Sequence, residues 1–188
     1  MTQLMTDQGQ MVRVPAGTWK VDPAHSSVAF EVKHMMISTV RGLLSEYDGT
    51  LEAQEDPERS TVTGWAAAAS IDTGNADRDA HLRGPDFFDA DRYPRMSFVS
   101  TAIRHLEGGT YAITGELTIK GVTREVTVEA TVQGTGEDPW GNQRAGIAVR
   151  GSIDRTDFGL TWQSRLAGGG LLVGEEVNLL LDVSAIAS

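Results

Sequence analysis

The segment YAITGELTIKGVTREVTVEATV, residues 111–132, decides the fold class of this chain. Apolar and polar residues alternate along both halves of the segment, and Lys120-Gly121 separates the halves. Because successive side chains of a β-strand point to opposite faces, an alternation of period two predicts a strand with one buried face. A Lys-Gly pair between two such runs favours a tight reversal. The segment therefore predicts an antiparallel hairpin.

Predicted strands of the same kind occupy most of the chain. They lie near residues 17–22, 28–33, 43–52, 60–72, 96–104, 111–119, 122–132, 145–154 and 177–183. Turn-forming pairs such as Asp22-Pro23 and Gly108-Gly109 separate these runs. Eight or nine short strands at such spacing are typical of an antiparallel sandwich or barrel. The sequence therefore predicts an all-β fold, and we expect a barrel.

One segment interrupts this succession of strands. Residues 75–84 (NADRDAHLRG) favour a helix, which we expect to stop at Gly84-Pro85. Thr73 or Asn75 is the candidate N-cap. Residues 86–90 are the candidate second turn of helix. The sequence thus predicts a short helical insertion near residues 75–90.

Composition and charge exclude several classes of function. The chain has 188 residues and no cysteine, which suits one domain and excludes disulfides and thiolate chemistry. Its net charge is −10 and its Lys and Arg residues form no run, so we expect no nucleic-acid partner. Residues 1–15 are predicted to be a flexible N-terminal tail without a signal-peptide core, and residues 16–188 a single barrel domain. We expect a cytoplasmic protein with no stable membrane anchor.

The predicted strand near residues 62–70 has unusually small side chains. One face carries Val62, Gly64, Ala66, Ala68 and Ser70, and the other carries Thr63, Trp65, Ala67, Ala69 and Ile71. An inward face of Gly and Ala leaves space inside a barrel, and a barrel of about eight strands either packs solid or holds one small ligand. The alternation does not say which face points inward. The alternative is that Phe87, Phe88 or a tryptophan fills the gap.

Eight strings of residues occur in a distinctive order along the chain. They are WKVDPAHS (19–26), FEVKH (30–34), IDT (71–73), RDAHLR (78–83), DFFD (86–89) with YP (93–94), GELTIKGVT (115–123), RTDFGL (155–160) and VGEEV (173–177). In this order they resemble the YceI-like family of lipid- or polyisoprenoid-binding proteins. The resemblance covers nearly the whole chain. Leu44 departs from it, because the family often has phenylalanine there.

The resemblance implies a lipocalin-like barrel whose apolar tunnel takes a long-chain isoprenoid lipid, such as a polyprenyl pyrophosphate or a quinone. It implies a carrier or storage protein and a homodimer. We expect no cofactor and no metal ion, because the four histidines show no HExxH, HxH or comparable spacing. Many relatives are exported and carry signal peptides, whereas this chain is expected to be cytoplasmic. The residues expected to line the tunnel and its mouth are Phe30, Val32, His34, Ala66, Ala68, Phe87, Phe88, Phe98, Leu117, Ile119, Phe158 and Trp162.

A charged lipid head needs polar partners at the tunnel mouth. Arginine binds phosphate groups through paired hydrogen bonds, so the head-group candidates are Arg78, His81 and Arg155. Arg41 and Arg83 are further candidates, and the sequence does not choose among them. The helical insertion is hypothesised to be a lid or floor, with Phe87 and Phe88 touching the lipid tail. The alternative is that both phenylalanines complete the core.

We do not expect an enzyme, because the chain lacks HExxH, GxSxG, P-loop and dinucleotide-binding motifs. Two alternatives to a lipid carrier stay open on the residues alone. One is an enzyme acting on an isoprenoid lipid, with His34, His81 and Asp79 as acid–base groups. The other is a stress-related interaction module whose cavity is incidental.

Overall fold

A computed structural model of the protein describes residues 12–188. Within these residues, eleven strand segments form one continuous antiparallel sheet. Their bounds are β1 Gly17–Val21, β2 Ser27–His34, β3 Ser38–Leu44, β4 Tyr47–Ala53, β5 Thr61–Ala67, β6 Ile71–Asp72, β7 Arg95–Glu107, β8 Thr110–Ile119, β9 Val122–Glu137, β10 Gln143–Asp154 and β11 Val173–Ala187. The helix α1, Ala76–Arg83, lies between β6 and β7.

The sheet closes into a barrel of eight strands, three of which are each broken once. A single 3₁₀ turn at Pro23–His25 separates β1 from β2, and another at Ala68–Ser70 separates β5 from β6. Only Ser45 and Glu46 separate β3 from β4, without a 3₁₀ turn. Neighbours in the chain are neighbours in the barrel, and β11 returns to pair with both β1 and β2. The predicted antiparallel barrel of about eight strands is confirmed.

The hairpin predicted from residues 111–132 joins β8 to β9. Ile119 lies opposite Val122, and the two residues between them form the reversal. Lys120 and Gly121 both have positive φ angles, +51° and +74°. This is the geometry of a two-residue hairpin turn whose twist matches that of the strands.

The register shows which residues face the barrel interior, because directly paired residues of antiparallel strands share a face. Phe30 lies opposite Leu179, Phe98 opposite Leu117, and Ala66 opposite Met96. The inner face of β5 therefore carries Val62, Gly64 and Ala66, and Ala68 in the following 3₁₀ turn is also buried. The question that the alternation left open at residues 62–70 is resolved by barrel closure.

The helical insertion has the predicted start and stop. The side chain of Asn75 accepts a hydrogen bond from the backbone N–H of Arg78, and Gly84 follows the last helical residue. Residues 86–90 form hydrogen-bonded turns instead of the expected second turn of helix. Asp89 has a φ of +48°, which a right-handed helix does not allow.

The barrel is packed at both ends. The helix-side cluster lies beneath α1 and comprises Ala66, Ala68, Phe87, Ala90, Met96, Ile119, Phe158 and Leu160. The N-terminal cluster lies at the other end and comprises Trp19, Ala53, Ala145 and Ala185 together with Ile103, Tyr111 and Val132. Both groups of the N-terminal cluster contact Val14.

The residues just before β1 lie against this end of the barrel. Trp19 Nε1 donates a hydrogen bond to the carbonyl of Pro15, 2.8 Å away, and Arg13 donates to the carbonyl of Glu55. Residues 12–15 are the part of the predicted tail that the structure describes, and they contact the barrel. Residues 1–11 of that predicted tail lie outside the described residues.

Candidate functional site

A belt of apolar side chains lines the barrel between its two packed ends. These inward-facing residues are only partly buried: Val28, Phe30, Phe98, Leu117, Val126, Val128, Val149, Leu179 and Leu181. A solidly packed interior buries such residues completely and leaves few voids larger than a water molecule. Because these residues face inward, their partial exposure indicates space inside the barrel. We call this space the lumen and these residues the belt.

Two aromatic rings of the belt lie along the barrel wall. The ring of Phe30 covers Gly42 on β3, and a methyl group at Gly42 would overlap that ring. Phe98 covers Gly115 on β8 in the same manner. Because a glycine leaves room against the wall, each ring lies over it instead of projecting further into the lumen. Both glycines therefore help to keep the lumen open.

Three aromatic side chains meet at the helix-side end. Phe87 is only 5% exposed, and its ring centroid lies 5.4 Å from that of Trp162. The His81 ring meets both of them edge-on, at 5.1 and 4.9 Å. Its Nε2 is 2.9 Å from a carboxylate oxygen of Asp86, which holds the imidazole in place. These contacts join α1 to the segment that follows β10.

Arg155, a head-group candidate, is buried at the base of the same segment. Four of its five N–H groups donate to backbone carbonyls, those of Leu160, Trp162, Val173 and Gly174. Burial lowers the pKa of its guanidinium, although the charges of Glu175 and Asp154 oppose this effect. The arginine thus fixes the chain between β10 and β11. One N–H group is left for another acceptor.

The other charged residues of the insertion hold α1 on the barrel. Arg78 donates to the hydroxyl and the carbonyl of Thr73, and an Asp79 carboxylate oxygen accepts from the backbone N–H and hydroxyl of Thr73. Arg83 donates to the carbonyls of Ala69 and Ile71. The contact of Arg78 with a lipid head therefore stays a prediction, and the structure gives this side chain local partners.

A polar cluster at the N-terminal end was not identified as a unit from the sequence. Arg144 donates to Asp22 over 2.8 Å and to Asp138 over 2.7 Å. Hydrogen bonds from Arg144 and then from His25 lower the pKa of Asp22 to about 2. Hydrogen bonds from Asn142, and further ones from Arg144, hold the pKa of Asp138 well below its usual range. In the sequence, the sign of this cluster was that Asp22 and Asp138 each lie in a turn-forming stretch.

The predicted site residues fall into three places. The belt contains Phe30, Phe98 and Leu117. The helix-side cluster contains Ala66, Ala68, Phe87, Ile119 and Phe158, and two further predicted residues, Phe88 and Trp162, pack against it. The last two, Val32 and His34, follow Phe30 along β2. The prediction omitted the belt residues Val28, Val126, Val128, Val149, Leu179 and Leu181. The same alternation of period two identifies them once the inner face of each strand is known.

Two surface depressions lie elsewhere. One, of about 320 Å³, is lined by Gly134, Asp138, Arg144 and their neighbours. The other, of about 440 Å³, lies between β6 and α1 and is lined mainly by small and polar residues. Both are open to solvent, so an apolar chain is less well shielded there than in the lumen.

The described residues were also compared with the requirements of a metal site and of a membrane-spanning helix. Residues 12–188 contain no group of three or more His, Asp or Glu side chains placed to hold a metal ion. In the same part of the chain, no helix is long and apolar enough to cross a membrane.

Comparisons with known proteins identify relatives of this chain. Residues 19–185 match the family model of the YceI-like domain. Protein YceI of Shigella flexneri is 36% identical over 186 residues, which cover 97% of this chain and 92% of that protein. Protein YceI of Salmonella newport is 36% identical over 174 residues, which cover 91% and 87% of the two chains.

Solved structures have the same fold. BcnA of Burkholderia cenocepacia superposes with a TM-score of 0.77 at 27% identity, over 87% of this chain and 98% of BcnA. The YceI protein of Campylobacter jejuni gives 0.71 at 29% identity, over 83% and 90%. A polyisoprenoid binding domain from Saccharophagus degradans gives 0.69 over 90% and 98%, and at 13% identity it shows the fold alone.

Proposed function

This chain belongs to the YceI-like family, and we propose that its barrel binds a long-chain isoprenoid lipid as a carrier or storage protein. The belt carries this proposal, because a continuous apolar wall between two packed ends suits a molecule that is apolar along its length. A polyisoprenoid or an isoprenoid quinone has this character. The resemblance of the eight sequence strings supports the same chemical class.

Burial of the tail supplies most of the binding free energy in this proposal. Burying one isoprene unit stabilises the complex by roughly 4 kcal/mol, at about 0.8 kcal/mol per carbon, before the costs of association. A charged head contributes about 1.5–3 kcal/mol through a hydrogen bond. A tail of several units therefore outweighs its head. This ranking suits a site whose wall is apolar and whose nearby cations mostly have backbone partners.

A head group fits best at the helix-side end. His81 lies there at the surface, and Arg155 keeps one N–H group for an acceptor. At the N-terminal end, the Nε and Nη1 donors of Arg144 already point to Asp22, Asp138 and Ser184. We propose that the tail extends from the helix-side end along the belt.

Native mass spectrometry of freshly purified protein tests the proposal. We expect a species heavier than the 20.2 kDa chain, whose extra mass is removed by organic extraction and identified as an isoprenoid. The extracted protein is then offered an isoprenoid quinone and, as a control, a short-chain quinone without the tail. Lipid-free protein that also fails to take up the long-chain quinone would contradict the proposal.

The alternative enzyme is not favoured by the arrangement of its candidate groups. An oxygen of Asp79 is bonded to Thr73, and His81 is bonded to Asp86. His34 lies on β2, opposite Val173. That the protein is no enzyme stays a prediction, which turnover assays with the bound lipid test.

The homodimer and the cytoplasmic location are also proposals. The family resemblance supports the dimer, and the cytoplasmic location stays a prediction. Sedimentation at micromolar concentration and cell fractionation test them. A 20.2 kDa species alone would contradict the dimer.

A further inference from the structure

The hairpin between β2 and β3 ends in an exposed apolar turn. Met35, Met36 and Ile37 are 38%, 64% and 81% exposed. Met35 and Met36 have φ angles of +53° and +59°, in the left-handed region that Asn and Gly adopt far more readily. A turn with methionine at both positions is less stable than one with Asn-Gly. Folding stability therefore does not explain these side chains, and a functional role is the better explanation.

This turn projects at the helix-side end of the barrel. His34 lies opposite Val173 at the start of β11, and the N–H of Met35 donates to the carbonyl of Leu172 over 2.8 Å. β6 pairs only with Leu43 and Leu44 of β3. Residues 38–42 therefore have no strand partner on their second edge within the described part of the chain. The turn thus lies beside the end that Phe87 and Trp162 close.

The two segments that meet here contain no acidic residue. Residues 32–45 and 158–174 lack Asp and Glu, although the chain has 26 of them, and they carry Lys33, Arg41 and Arg165. We call these two segments the rim. Arg41 is paired with Glu31, and the acidic residues that adjoin the rim directly are Glu31, Glu46, Asp157 and Glu175, followed by Glu176. Acidic residues further away are screened, since the Debye length is about 8 Å at physiological ionic strength.

We propose that the rim docks on the surface of a phospholipid bilayer. The Met35–Ile37 side chains enter the interface, and the cations of the rim meet headgroup phosphates, the combination by which peripheral proteins bind bilayers. The proposal rests on the proposed function, because a long isoprenoid chain is poorly soluble in water and partitions into bilayers. Docking at this end brings the bilayer next to the lumen, so that the lipid avoids the aqueous phase.

Cosedimentation with vesicles tests the docking surface. The vesicles are phosphatidylcholine alone or phosphatidylcholine with phosphatidylglycerol. The test variant combines Met35→Asn, Met36→Gly and Ile37→Ser, which keeps the turn because Asn-Gly favours its geometry. The control is Trp140→Ser, since Trp140 is also 81% exposed and lies at the opposite end.

We expect the unaltered protein to sediment with both vesicles, and more strongly with the anionic ones at physiological ionic strength. The triple variant should bind at least about tenfold more weakly, because three apolar side chains no longer enter the interface. The Trp140 control should bind as the unaltered protein does. Lipid extraction from each purified protein is measured in parallel.

Several results would overturn the proposal. They are failure of the unaltered protein to bind either vesicle, equal binding by the triple variant, and an equal loss of binding in the Trp140 control. Conversion of a dimer to a monomer by the triple variant, with vesicle binding unchanged, would assign the rim to a contact between copies. Vesicle binding by a protein that contains and takes up no lipid would support docking and contradict the proposed function.

Discussion

The two ends of the barrel are closed by different kinds of contact. At the N-terminal end, Val14 and Trp19 pack into the barrel mouth, and Arg144 joins two aspartates from distant turns. At the helix-side end, closure depends on ring contacts of His81, Phe87 and Trp162 and on turns of the chain. Segments with few regular backbone pairs open at lower free energy than strands. The N-terminal end is therefore a fixed floor and the helix-side end is the one that can open, and we expect lipid exchange through the helix-side end.

The largest effect is expected from removing the side chain that fills the floor. Trp19→Ala should lower the free energy of unfolding by about 3–5 kcal/mol, because Trp19 is almost completely buried and its truncation leaves a cavity. Urea denaturation measures the change. Trp140→Ala, at an exposed position, should stay within about 0.5 kcal/mol of the unaltered protein. Equal effects of the two changes would contradict the fixed floor.

The next effect concerns the two phenylalanines at the end that opens. Phe87 is buried and Phe88 only partly, so Phe87→Ala should cost about 3 kcal/mol and Phe88→Ala less than about 2 kcal/mol. If this segment is a lid, Phe88→Ala should also speed lipid release from the folded protein. Stopped-flow transfer of lipid to acceptor vesicles measures the rate. Release that is unchanged in both variants would favour the alternative in which both rings only complete the core.

A substitution in the belt between the ends should change the affinity for the ligand more than the folding stability. Val149→Phe adds a ring on the inner face and should exclude part of one isoprene unit, worth about 2 kcal/mol or roughly 30-fold in affinity. Displacement of a fluorescent apolar probe measures this change. Val99→Phe is the matched control, because Val99 is exposed. A loss of affinity as large in the control would argue against a lumen at the belt.

The smallest expected effect is the loss of folding stability at low pH. The pKa of Asp22 is lowered from 3.8 to about 2, so its contribution to stability is present above pH 3.8 and is lost as the pH falls through about 2. Arg144→Gln should reduce the loss of stability over this interval, because the aspartate loses its main partner. Thermal unfolding at pH 5, 3.5 and about 2 measures this slope. Arg150→Gln should leave the slope unchanged, since the Arg150–Asp182 pair is exposed to solvent.

Local patterns of the sequence determined the secondary structure of this protein. Period-two alternation predicted most of the strands, and Lys120-Gly121 predicted the reversal between β8 and β9. Asn75 and Gly84 marked the ends of α1 correctly. Each of these features depends on neighbouring residues, because caps and turns are made within about four positions of the chain. The order of the eight sequence strings identified the family, because comparing strings along the chain needs no knowledge of contacts in space.

Closure of the barrel decided the rest, because it joins residues that are far apart in the chain. The face of β5 that points inward became known only through the pairing of β5 with β4 and β7. Asp22 and Arg144, 122 positions apart, gave no sign of their contact in the sequence. The carbonyl partners of Arg155 likewise depend on the path taken by the chain between β10 and β11. Alternation shows that a strand has two faces, and only tertiary structure decides which face meets the lumen and where the lumen ends.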